Sequence, residues 1–183
     1  MKKMFILAAI AATMMMGMPT QAEAQKNGQE VAVNDPCPLE QYPSTAEVIR
    51  GHGVGVDRNQ QFSVTKARTY AINDLAAQLS TTIDAVMKMT DESWDMGANS
   101  EYAGHALQEI QTVVKQSTGF NIVCRKTVSV MQNGMNMMKT YMVVELKTDQ
   151  VLKQSYDVLH NDPNISLEQS YEEFLKTFDE QFQ

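Results

Sequence analysis

The segment Arg50-Gly51-His52-Gly53-Val54-Gly55 constrains this chain more than any other. Thr45 to Val56 reads as a strand, in which successive side chains point to opposite faces. Val48, Arg50, His52, Val54 and Val56 share one parity; Ile49, Gly51, Gly53 and Gly55 share the other. Three alternate positions on one face therefore carry no side chain, which suits close approach by another backbone or by a crossing helix. A candidate helix follows at once. From Gln60 to about Ser80 the apolar residues recur at helical spacing, with Val64, Ala67, Ala71, Leu75 and Leu79 as the stripe and Phe62, Ile72 and Ala76 beside it. Its alanines are small enough for the helix to lie close on the glycine-lined strand. Asp57 or Asn59 stands where a helix cap is needed.

After Ser80 the period changes. Ile83, Ala85, Met87 and Met89 alternate with Asp84, Val86, Lys88 and Thr90, the pattern of a strand with one apolar face. A loop containing Trp94 follows, then a helix from about Glu101 to Gln116, stopped by Ser117-Thr118-Gly119. Phe120 to Met131 alternates again, with Ile122, Cys124, Val128 and Val130 assigned to one face. Asn133-Gly134 is a strong hairpin turn pair, and Met137 to Lys147 returns with Met138, Thr140, Met142, Val144 and Leu146 on one face. Thr148 is expected to cap a helix over 149–159. Ser166 with Gln169 is expected to form a capping box for a last helix striped by Tyr171, Phe174, Leu175 and Phe178. This order fits an α+β fold, with helices packed on one face of a small, mainly antiparallel four-stranded sheet.

The termini and composition bear on location. Lys2 and Lys3 precede an apolar run from Met4 to Met18, and Ala22-Glu23-Ala24 offers small residues where a signal peptidase reads them. Residues 1–24 are expected to be a cleaved signal peptide, with a retained N-terminal anchor as the alternative; no other run is long and apolar enough to cross a membrane. Residues 25–45, rich in turn pairs, read as an irregular mature leader, and 46–183 as a single α+β domain. The net charge of -7 argues against a nucleic-acid partner. Export permits a disulfide between Cys37 and Cys124, tying leader to sheet; the alternative is two free thiols.

The motif Arg50 to Gly55, the helix with Lys66-Ala67-Arg68 and Asn73-Asp74-Leu75-Ala76, and the strand Tyr141-Met142-Val143-Val144-Glu145-Leu146 together resemble a bacterial envelope family. The resemblance is to the small surface lipoproteins of the Helicobacter type and, more distantly, to the N-terminal domain of flagellar assembly protein T. It covers roughly residues 46–155 and implies an exported α+β domain with no enzyme chemistry. No cysteine follows directly on the apolar run Met4 to Met18, so the usual lipid-attachment site of the family is missing here. That shifts the expectation toward the periplasm or an outer-membrane-associated state.

Chemical motifs are sparse. Gly51-x-Gly53-x-Gly55 has Val56 where a dinucleotide fingerprint needs its third glycine. His52, His105 and His160 show no ligand spacing, and no serine elbow exists. Asp91, Glu92 and Asp95 flank Trp94 without matching a calcium loop. No catalytic residue, metal or cofactor is expected. The expected role is non-enzymatic contact with other envelope proteins or self-association. Met131, Met135, Met137 and Met138, which bracket the hairpin turn, are the candidate partner surface; Cu(I) binding or plain core packing are other uses of them. The competing reading is a small-ligand module in the periplasm, using a groove near Arg50, His52 and Trp94.

Overall fold

The structure, a computed structural model, describes residues 35–90, 94, 99–165 and 167–183. Residues 1–24, expected to be a signal peptide, residues 25–34, the acidic residues Asp91, Glu92 and Asp95, and Ser166 lie outside the described residues. Among the described residues the fold is α+β, with four α-helices and one three-stranded antiparallel sheet. Strand β1 is Val48–Asp57, β2 Asn121–Gln132 and β3 Met135–Lys147, in the order β1-β3-β2. Helices α1 (Gln60–Thr90), α2 (Asn99–Gln116), α3 (Thr148–Asn161) and α4 (Tyr171–Glu180) complete it.

The glycines do what their spacing predicts. A Cβ on Gly51, Gly53 or Gly55 would lie less than 3.0 Å from the carbonyl oxygen of Ala71, Ala67 or Ser63 respectively. Strand and helix run antiparallel here. Two residues of strand advance about 6.7 Å and four of helix about 6.0 Å, so each glycine meets the next turn of α1. Opposite them in register stand Val144, Met142 and Thr140 of β3. Met142 and Val144 are fully buried beneath α1. Helices α2, α3 and α4 close over the remainder of the same core, which includes Ile110, Val114, Leu159, Phe174 and Phe178.

The expected second strand is absent, which leaves three strands rather than four. Residues 83–90 continue α1, and Ile83, Val86 and Met87 are fully buried. The alternating pattern there also contains the i, i+3, i+4 set that extends the stripe from Leu79, and no Gly or Pro interrupts it. Two caps differ as well. Thr148 donates its backbone N–H to Glu47 O at 3.0 Å and its hydroxyl to Ala46 O, stitching α3 to the entry of β1; it does not cap the helix, whose N-cap is Lys147. The last helix starts after Ser170, which forms a complete capping box with Glu173. The hairpin turn is as expected, with Asn133 at φ 51° and Gly134 at φ 73°.

Part of the leader is structured. Residues 35–45, with a 3-10 turn at Leu39–Gln41, lie on the sheet face opposite α1. Cys37 is fully buried and bonded to Cys124, closing a sequence separation of 87. A second, smaller core forms there from Cys37, Cys124, Tyr141 and Val143, with Leu39, Tyr42, Val54 and Val128 partly buried against it. The register shift between Ile122 and Cys124 makes this bond reachable. Ile122 pairs with Val144 on the α1 side, whereas Cys124 pairs with Val143 on the leader side. These two residues therefore do not share a face, contrary to simple alternation.

Candidate functional site

Arg50 and His52 sit on the leader side of β1, where they pin the leader down. The Arg50 guanidinium lies 3.1 Å from Glu145 Oε2 and donates to Pro43 O, while its backbone N–H donates to Ser44 Oγ at 2.9 Å. His52 Nε2 is 2.9 Å from Asp35 Oδ2, an ion-pair distance without hydrogen-bond geometry. The His52 backbone N–H donates to Asp74 Oδ2 at 2.8 Å, and Gln78 Nε2 donates to the same oxygen at 2.9 Å. Asp74 thus satisfies part of the outer edge of β1. Tyr141 Oη is buried without a hydrogen-bond partner among the described residues, and Lys139 Nζ lies 5.2 Å from the Tyr141 ring centroid.

Trp94 belongs to the other side of the molecule. It is buried in the main core and donates Nε1–H to Asp84 Oδ1 at 2.8 Å. Lys88 Nζ holds the second oxygen of Asp84 at 2.8 Å. The sheet therefore separates Trp94 from Arg50 and His52, and the expected groove joining the three does not form. The parity of β1 explains this, because its α1-facing positions are Ile49 and the glycines. His105 is exposed on α2, and His160 stacks on Tyr156 at 5.5 Å. Among the described residues no group of three or more His, Cys, Asp or Glu side chains is placed to hold a metal ion.

The hairpin methionines share one end of the sheet but not one face. Met131 pairs with Asn136, and Ser129 with Met138, on the α1 side; Met137 pairs with Val130, and Met135 with Gln132, on the leader side. Met131 is 74% exposed and Met135 40%. Met137 and Met138 are half-buried. Strand β2 is an edge strand, and most of its residues are exposed. One sequence signal marks this region in hindsight. Residues 120–144 include Arg125, Lys126 and Lys139 but no Asp or Glu, within a chain of net charge -7. Reading the strands for hydrophobic alternation alone passes over that charge segregation.

Two of the wider concavities among the described residues lie on the α1 side. One of about 730 Å³ is lined by the end of α2 and the start of α3, with Gln116, Lys147, Asp149 and Gln154 on its walls. The other, of about 980 Å³, lies between the start of α1 and β2 and is lined by Arg58, Gln60, Gln61, Val64, Arg125 and Thr127. No family model and no curated protein matches the chain. Among the described residues no helix is long and apolar enough to cross a membrane.

Proposed function

We propose that this chain is an exported cell-envelope protein that works by contact, without enzymatic activity, in the periplasm or associated with the outer membrane. Its partners are other envelope proteins or further copies of itself. The observation that carries this reading is the β2–β3 hairpin, which presents an open strand edge and the exposed methionines Met131 and Met135. An open edge offers unpaired backbone groups, and thioether side chains adapt to a partner's shape. The Cys37–Cys124 bond supports the location, because such bonds persist in oxidising compartments. The signal-peptide pattern of residues 1–24 and the resemblance to small surface lipoproteins point the same way.

The test is affinity capture from gently crosslinked envelopes, comparing the native chain with Met131→Ser/Met135→Ser. A specific set of partners that disappears in the variant, with the thermal transition unchanged, is the expected result. Equal recovery by both chains would remove the hairpin from the function.

A further inference from the structure

We propose that the concavity between the start of α1 and β2 binds a phosphate ester, gripped between the guanidinium groups of Arg58 and Arg125. The site does not depend on the contact role of the hairpin.

The first reason is charge. The chain has 22 acidic against 15 basic side chains, yet the lining of this concavity carries two arginines and no carboxylate, whereas four cations elsewhere are ion-paired. Arg50 takes Glu145, Lys66 takes Asp57, Lys88 takes Asp84 and Lys153 takes Asp157. Among the described residues no carboxylate lies within 4.0 Å of the Arg58 or Arg125 side-chain nitrogens, yet both residues line the same cavity. Asp57 adjoins Arg58 in sequence but is held by Lys66 Nζ at 2.7 Å. Among the described residues Arg58 donates to a neutral thioether, Met135 Sδ, and the cross-strand neighbour of Arg125 is Met142. Two like charges on one concavity repel, and an anion between them reverses that energy.

The second reason is shape. Arg58 comes from the turn after β1 and Arg125 from β2, with Gln60 and Gln61 on the helix between them. Donors arriving from several directions suit a tetrahedral oxyanion better than one planar carboxylate, and guanidinium forks match phosphate oxygens. The concavity is open to solvent and wider than inorganic phosphate alone requires, and Val64 supplies an apolar wall. An organic group carried by the phosphate fits that space. A soluble phosphate ester and a phospholipid headgroup share this chemistry.

The purified, oxidised protein is titrated near neutral pH with glycerol 3-phosphate, with acetate and with chloride at matched ionic strength. The Nε–Hε resonances of Arg58 and Arg125 are followed by NMR. In parallel it is sedimented with phosphatidylcholine vesicles containing or lacking phosphatidylglycerol. Saturable shifts of both resonances with glycerol 3-phosphate identify a soluble ester. Sedimentation only with phosphatidylglycerol, lost in Arg58→Gln/Arg125→Gln, identifies a headgroup. Either result supports the proposal. Each single Gln variant is expected to weaken binding about tenfold, as loss of a charge-assisted hydrogen bond does, while Lys115→Gln on α2 leaves it unchanged. Both Arg positions are exposed, and circular dichroism checks that the variants fold. The proposal is overturned by an absence of saturation with every phosphate probe, by equal response to acetate or chloride, or by binding retained in the double variant.

Discussion

Gly53 faces the carbonyl of Ala67 and the amide nitrogen of Ala71, backbone atoms that cannot swing aside. Gly53→Ala is therefore expected to destabilise the fold by about 3 kcal/mol, the upper end of overpacking costs. Gly104 provides the contrast. It lies within α2 with nothing within 4 Å of an added Cβ, so Gly104→Ala is expected to stabilise by about 0.5–1 kcal/mol. Chemical denaturation of the two variants checks both signs. At the start of α4, the Ser170 backbone and hydroxyl groups donate to Glu173 at 2.8 and 2.9 Å and hold its carboxyl below the ordinary value of 4.5. A depressed carboxylate stabilises above its unfolded pKa, and that contribution is lost as pH falls through the folded value. Protection of the α4 amides, taken relative to their intrinsic exchange rate at each pH, is expected to fall on acidification below the ordinary glutamate range, and Ser170→Ala is expected to remove about 1 kcal/mol near neutral pH.

Among the elements, the leader segment 35–45 departs furthest from its sequence pattern. Its prolines and turn pairs read as irregular, and locally they are, but the disulfide makes the segment the cover of a second core. Replacing both cysteines with serine is expected to cost about 4 kcal/mol, the loop-closure scale for a bond spanning this much chain. It should also raise the solvent access of Tyr141, which is 3% exposed in the intact fold; tyrosine fluorescence quenching and denaturant melts report the two effects. The glycine strand, the alanine-striped helix and the Asn133-Gly134 turn were legible because each rests on local chemistry. The second half of α1 was not, because residues 83–90 satisfy both a two-residue and a helical period. Burial of Ile83, Val86 and Met87 in the main core, whose members include residues of α2 and α4 distant in sequence, decides between them. The bulge at Ile122/Cys124 was equally hidden, since one extra residue swaps the face of everything before it.

For the whole molecule, the sheet divides two territories. The α1 side holds the main core and buries Trp94; the leader side holds Arg50, His52 and the disulfide. Sequence spacing grouped Arg50, His52 and Trp94 as a candidate groove but could not show that a sheet stands between them. The methionine hairpin was legible as a location, although pairing distributes its side chains over both faces. The proposed contact role is assigned to the end of the molecule where β2 is an open edge and residues 120–144 carry no carboxylate. Site-specific photocrosslinking in living cells tests that assignment most directly, with the photoreactive residue at position 131, at 135 or, as a control, at the exposed Tyr102 of α2. Discrete crosslinked species from 131 and 135 but not from 102 are expected; no adduct from either hairpin position, or the same adducts from all three, would contradict the assignment.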